Sequence, residues 1–482
     1  MNADVLALLE ARFPIPAMDY YRRIALWDAW WRGHDRTFHE FTENTVAGHS
    51  VRRQLYRMNM AKKVAEDWAA LLLNDRTSVD VADPAGAAFV SRVFAETDFL
   101  RQANRLVERA FAVGTGAAIL RLTGKADADG RLIASPDKMP GISFEFLDAR
   151  HIVPLSVENG EITEAAFVSE AIRRGEEVVY LEIHTRAADG YVIRNEFYRF
   201  REGRIRREKN PAGCPGEIRT GSPRPLFSIL TPNIVSSAEG ACGLGMSVYA
   251  DALDCLKGVD LAFNNFCRDI KLGGKKVFLN QTLVSRDEWG NILTPDDVAQ
   301  QLFVTVGDAD IAEHPMIAEH NPELRSSENA EAVQCQLNYL SFRCGLGAHH
   351  YTFADTEARA RLTATQYMGE RQDMRQNMAK HQKNVERFLR GAVRALLWCA
   401  ARVIGLPVDE ACDIRIRFDD AYFTDTESQR ERDLRELAAG VLTAEEYRCK
   451  WIGVTGEIGG IAEAGVTGDA AETGEKGGGG DA

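Results

Sequence analysis

From about Gly245 to Leu272 the sequence keeps one apolar stripe at helical spacing, through Val248, Ala252, Cys255, Val259, Phe263, Phe266 and Ile270. At 1.5 Å per residue such a helix runs roughly 40 Å, more than a compact globule needs. A second, longer helical pattern covers Arg361 to Ile404 and stops before Pro407. Between the two lie a small mixed segment, 273 to 325, and a further helix from Ser327 to Arg343. The mixed segment has strand-like runs in KKVFLNQTLV and QLFVTVG. Long helical rods separated by a small insert, in a chain of 482 residues, predict a multidomain α+β protein.

The rest of the chain is organised around these rods. Asp19 to Arg76 reads as two amphipathic helices, with Trp27, Trp30 and Trp31 on the first and Met60, Val64, Trp68, Leu71 and Leu72 on the second. Residues 89 to 120 read as another helical pair, broken by Gly114 and Gly116 before a strand near Ala117. A β-rich lobe follows. ISFEFLDARHIVPLSV, ITEAAFVSEAI, EVVYLEIHT, GYVIRNEFYRF and GRIRR alternate apolar and polar residues, with turn signals at Glu158-Asn159-Gly160 and Asp189-Gly190. A Pro/Gly-rich stretch from Asn210 to Pro232 closes it. Beyond Pro407 come an acidic strand-like segment, IRIRFDD, and a last helical pair from Thr426 to Trp451. From Gly453 the sequence is dominated by Gly, Ala, Glu and Thr, a composition that predicts a disordered tail.

Charge and cysteine usage narrow the function classes. An apolar fraction of 45% with 27% charged residues fits a globular chain and excludes wholesale disorder. A net charge of −13 argues against a protein that wraps nucleic acid, which relies on many cations neutralising phosphates. DNA as a passenger in an acidic conduit is compatible with it. Nine cysteines with no CxxC pair suggest neither a zinc ribbon nor a disulfide frame. The N-terminus, MNADVLALLEARF, predicts no export leader. The longest apolar window, Ala392 to Ile404, carries Arg394 and Arg402 and is too short to span a bilayer. The expectation is a soluble protein of cytosolic origin that does not insert in a membrane.

Catalytic motifs are missing from the sequence. There is no Walker A loop, no GxSxG elbow and no HExxH. Gly243 and Gly245 suggest a helix-opening turn. His349 and His350 are adjacent and cannot easily face one metal, and His34 and His39 lie among tryptophans that suggest packing. Asp419, Asp420, Asp425 and Glu427 form an acidic cluster that could hold a divalent cation, although a solvated capping loop is the simpler reading. No catalytic residue, cofactor or metal is therefore expected. The competing reading is a metal-dependent DNA-processing enzyme using the cluster near Asp419. The 361 to 404 helix is unusually basic, with Arg375, Lys380, Lys383, Arg387 and Arg390 among its cations. It reads either as a solvated face or as a surface for a neighbouring subunit or DNA.

Five stretches, in order, resemble the Gp6-like portal proteins of long-tailed bacteriophages. They are RRQLYRMNMAKKVAEDWAALLLND; FEFLDARHIVPLSVENGEITEAAFVS with YLEIHT and YVIRNEFY; TPNIVSSAEGACGLGMSVYADALDCLKGVDLAFNNFCRDIKLGGKKVFL; LRSSENAEAVQCQLNYLSFRCGLGAHHYTF with LTATQYMGERQDMRQ; and IRFDDAYFTDTESQRERDLRELAAGVLTAEEYRCKW. The third is the most specific, and the fourth departs from the family in having Gln366 and Tyr367.

The resemblance implies a non-enzymatic virion protein that forms a ring, commonly a dodecamer, at one capsid vertex. The ring is a conduit for double-stranded DNA during packaging and ejection. Implied partners are further copies of the chain, the terminase large subunit, a head-tail adaptor, and the major capsid and scaffolding proteins. Residues 1–240 would be the wing, 241–272 and 326–345 the two stem helices, and 273–325 the clip, with Lys275 and Lys276 facing the terminase. Residues 346–360 would be a tunnel loop presenting Gly347, His349, His350, Tyr351 and Thr352 toward DNA. Residues 361–404 would connect wing to crown, 405–455 would be the crown, and 456–482 the tail.

Overall fold

The computed structural model describes residues 3–44, 50–123, 141–173, 176–201, 204–211, 214–237, 242–280, 288–289, 302–305, 317–353, 372–418, 426–440, 443 and 447. The chain divides into two units, Met1–Phe423 and Thr424–Ala482. In the second, α10 (Thr426–Ala438) is the described element, and Arg430 Nε lies 3.3 Å from the Tyr447 hydroxyl.

The first unit mixes helices with several small sheets, an α+β arrangement as expected. It begins with α1 (Ala3–Glu10), α2 (Met18–Trp31) and the single turn α3 (Arg36–His39). A hairpin of β1 (Glu40–Asn44) and β2 (Ser50–Gln54) follows, then α4 (Met60–Leu72). β3 (Ser78–Val81), α5 (Pro84–Thr97) and α6 (Phe99–Val113) come next. α5 starts where Asp83 accepts a hydrogen bond from the Gly86 amide and Pro84 fills the first turn, a position that needs no N–H donor. α6 ends at Gly114, whose φ of +92° suits a residue without a Cβ.

The β lobe carries the strongest period-two pattern and forms the largest sheet. β6 (Ile152–Glu158), β7 (Glu161–Arg173), β8 (Glu176–Ala187), β9 (Gly190–Arg201) and β10 (Arg204–Glu208) run as an antiparallel meander, with β11 (Glu217–Arg219) also paired to β9. Positive φ at Asn159 and Gly160 makes the β6–β7 turn. A separate three-stranded sheet places β4 (Gly116–Thr123) between β5 (Gly141–Asp148) and β12 (Phe227–Leu230). β3 pairs with β16 (Ile414–Arg417), from the far end of the unit.

Helix α9 (Gln372–Trp398), continued by a π-helical turn over Cys399–Ile404, runs against this sheet. Its stripe of Met374, Met378, His381, Val385, Phe388 and Leu389 is buried. Gly391 makes room for Ser228, whose hydroxyl donates to Phe388 O at 2.7 Å. Trp68 of α4 is fully buried where α4, α6 and α9 meet, its ring edge-on to His381 at 4.8 Å and tilted on Phe111 at 6.0 Å.

His381 gives this junction a pH dependence. Its Nδ1 accepts from the Asn233 amide at 3.0 Å, and burial, then nearby Lys380, depresses its pKa to about 3. The unfolded chain, with a His pKa near 6.5, takes up the proton first as pH falls. The contribution to stability is therefore fully present above about pH 6.5 and is lost toward pH 3, at up to about 1.4 kcal/mol per pH unit. His381→Gln is expected to flatten the fall in denaturant midpoint between pH 6 and pH 4 by about one proton. An unaltered slope would rule this out.

The structure corrects two boundaries. The β1–β2 hairpin and the turn α3 interrupt the span expected to hold only two helices, because every residue of β2 is exposed and the ribbon leaves no alternating face to read. The first rod starts not at Gly245 but at α7 (Leu253–Leu272), after a 3₁₀ turn at Ala250–Ala252. Gly245 is committed elsewhere: a Cβ on Gly114 would lie 2.1 Å from Gly245 O, and one on Gly245 would lie 2.3 Å from Gly114 O. Tyr20 Oη donates to Gly245 O and the Gly245 amide donates to Thr115 Oγ1. Backbone packing thus occupies Gly245, while Gly243, at φ +87°, lies against the Val157 and Ile162 side chains. Residues 361–371 of the second rod, the second helix of the C-terminal pair and the Gly-rich tail lie outside the described residues.

Candidate functional site: a helical hairpin and the turn at its base

α7 packs against α8 (Ser326–Arg343) as an antiparallel hairpin. Arg343 Nη2 donates to Asp251 O at the base, Gly258 faces Gln336 midway, and Asp269 accepts from the Arg325 amide and Asn329 Nδ2 at the tip. Gly258 permits the close approach, since a Cβ there would meet Gln336 Oε1 at 2.5 Å. Beyond the tip, β13 (Lys276–Asn280) sits between β14 (Leu302–Thr305), parallel to it, and β15 (Ile317–His320), antiparallel.

Along α7 burial is greatest at the base and falls toward the tip, whereas α8 leaves two aromatics exposed near the base. On α7 the buried residues are Leu256, Val259, Asp260 and Asn264; on α8 they are Val333, Leu337, Leu340 and Ser341. The sequence stripe follows this gradient, from Ala252 and Val259 at no more than 1% exposure to Ile270 at 54%. Leu272 and Leu324 at the tip are half exposed, and on α8 Tyr339 and Phe342 are 58% and 61% exposed, one turn apart. A two-helix hairpin cannot cover all of its own apolar surface, and exposed aromatics at this spacing form a patch of the kind that marks an association face.

Two buried polar residues on α7 root the hairpin. Asp260 accepts from the Met58 amide at 2.8 Å and lies 3.0 Å from His39 Nε2; Asn264 accepts from the Tyr56 amide at 3.2 Å. They satisfy an extended segment that has no strand partner of its own, which is why polar residues occupy a buried helical face. His39 packs on Trp30 at 5.0 Å, so the packing role expected of it holds, and it also ties α3 to α7.

The turn after α8 is pinned to α4. Trp68 Nε1 donates to Cys344 O, and Ser341 Oγ donates to Gly347 O. Tyr351 Oη donates to Asp67 Oδ2 at 2.9 Å, with His350 Nε2 3.3 Å from the same oxygen and Lys63 on the other. Burial pushes the Asp67 carboxyl up, but hydrogen bonds from His350, Lys63 and Tyr351 outweigh it and hold it below the ordinary range. Burial, and then the Asp67 charge, push Tyr351 above its usual value.

The residues expected in a DNA-facing loop therefore separate. Gly347 and Tyr351 are buried and His350 turns inward, while His349 is exposed and Thr352 caps the turn through His349 O. Residues 346–352 of the span read as a tunnel loop form a turn held by Asp67 and Trp68; 354–360 lie outside the described residues. Of the pair expected to face a terminase, Lys275 is exposed beside β13, and Lys276 opens that strand opposite His320.

Asp419, Asp420 and Asp425 also lie outside the described residues. Among the described residues no group of His, Cys, Asp and Glu is placed to hold a metal ion, and no helix is long and apolar enough to cross a membrane. Sequence reasoning missed the Asp67 anchor, whose only trace is a carboxylate between two residues of an apolar helical face, Val64 and Trp68. In comparisons with known proteins, no family model and no curated protein matches this chain.

Proposed function

We propose that this chain is the subunit of a bacteriophage portal, a ring at one capsid vertex through which double-stranded DNA is packaged and ejected. The observation that carries the reading is the α7–α8 hairpin, with aromatic and aliphatic side chains left exposed along it and a three-stranded sheet at its end. Repeated head to tail around an axis, such a hairpin covers its apolar face with the next copy, and closure of the rotation leaves a central hole. The two helices are then the stem and the β13–β15 sheet the clip, docking the terminase large subunit during packaging and a head-tail adaptor afterwards. The sheet of β6 to β10 belongs to the wing, and the protein resides in the virion with the major capsid and scaffolding proteins as neighbours.

The ordered resemblance of five sequence stretches supports the same reading, and no chemistry at a pocket is required by it. The full chain, purified and imaged by negative stain at micromolar concentration, is expected to form closed rings with a hole wide enough for a duplex. Particles that remain monomers or dimers at high concentration would overturn the reading.

A further inference from the structure

The face of α9 opposite its buried stripe carries Arg375, Lys380, Lys383, Arg387 and Arg390, all exposed. At 3.6 residues per turn these five fall within about 140° of arc over roughly 22 Å of helix. Arg387 is paired with Glu161, and Arg390 with Glu386 at 2.7 Å. Among the described residues Arg375, Lys380 and Lys383 have no carboxylate partner. In a chain of net charge −13, a row of five cations on one helix, of which three have no carboxylate partner among the described residues, is a local exception.

We propose that this face of α9 binds the phosphate backbone of duplex DNA, without reading its sequence. The inference rests on the reading that DNA passes through an assembly of this chain, and it names where the contact is made. A duplex presents one charge per about 1.7 Å of axis, so some 13 phosphate charges lie along the length of the stripe. The alternative occupant, another copy of the chain, fits less well. No large apolar residue is exposed on α9, whereas the α7–α8 hairpin exposes several; subunit interfaces have apolar cores from which lysine is depleted. Lys and Arg with no large apolar side chain between them make the pattern of backbone contact. The pinned turn at 346–352 provides no comparable set of cations.

The test uses the full chain and a labelled random-sequence duplex of about 30 base pairs, with anisotropy titrations between 50 and 200 mM salt. The combined variant Arg375→Gln, Lys380→Gln and Lys383→Gln is expected to lower the salt slope of log K by up to about 2.7, at about 0.9 for each phosphate that is no longer neutralised. Affinity at 50 mM should fall at least tenfold, equally for unrelated duplex sequences. The charge-preserving variant Arg375→Lys, Lys380→Arg and Lys383→Arg should bind as the parent does. Both variants are imaged in parallel. Rings with an unchanged salt slope would overturn the inference and leave the portal reading standing. Loss of rings in the Gln variant alone would overturn it by assigning the stripe to contact between copies. If the parent itself makes no rings, the portal reading fails, and the slope alone then decides whether α9 binds DNA.

Discussion

Substituting Tyr339 and Phe342 together with aspartate is expected to abolish ring formation while leaving the protomer folded. Both side chains are more than half exposed in the single chain, so their replacement removes little from its own core. In a closed ring each would be buried against the next copy. Fully burying an exposed large apolar side chain is worth about 1.5–3 kcal/mol, so with 58% and 61% of the two side chains left to cover the pair contributes roughly 2–4 kcal/mol at every interface. That corresponds to about one to three powers of ten in each association constant. The introduced carboxylates add a desolvation cost on top. Sedimentation and negative stain should report monomers with an unchanged far-UV spectrum, and a melting temperature lowered only by the loss of assembly. Val235, 89% exposed outside the hairpin, supplies a control whose aspartate variant should still assemble. Intact rings from the double variant would mean that the hairpin is not the contact.

The second large effect is on stability. Asp148 and Asp28 lie in a buried network that joins α2, α6 and the end of β5. Arg109 Nη2 is 2.7 Å from Asp148 Oδ2 and 2.9 Å from Asp28 Oδ1, and Arg150 reaches the same two carboxylates at 2.8 and 3.0 Å. Arg109 also lies over the Trp31 ring, 4.1 Å from its centroid. Burial pushes the Asp148 carboxyl up, but Arg150 and Arg109 overwhelm that and hold it well below the ordinary carboxylate range. With its folded pKa depressed, Asp148 stabilises the fold above its unfolded pKa near 3.9 and stops doing so only in strong acid. Asp148→Ala leaves Arg109 and Arg150 to share the Asp28 carboxylate with Arg32, already 2.7 Å from it, in a largely desolvated site, and a cost of about 3–5 kcal/mol is expected in denaturant unfolding. The exposed pair Arg390 and Glu386 should cost under about 1 kcal/mol when either is changed to alanine. A cost at Asp148 as small as that would show that water reaches the network.

The exposure gradient along α7 explains why one helix serves two purposes. At its base Asp260 and Asn264 hold the extended segment before α4, and Val259 enters the core. At its tip the same helical stripe continues through Ile270, which is 54% exposed. The stripe is uninterrupted in sequence, but its inner half stabilises the protomer and its outer half is available for association.

Local period accounts for the part of this fold that is legible in the chain. The alternation of β6 to β9, the helical stripes of α4, α7 and α9, and the glycine break after α6 are properties of neighbouring residues, and each can be read without a structure. Partners distant in sequence account for the rest, and these only the folded chain brings together. β3 forms a strand because Ile414–Arg417 lies beside it, more than 330 positions away. Gly245 ends up against Gly114 instead of opening a helix, and the β1–β2 ribbon buries too little to leave a pattern. Asp67 is an ordinary helical acid until Tyr351 and His350 reach it across more than 280 residues. A side chain's spacing shows which face it shares, but only the fold supplies what that face meets.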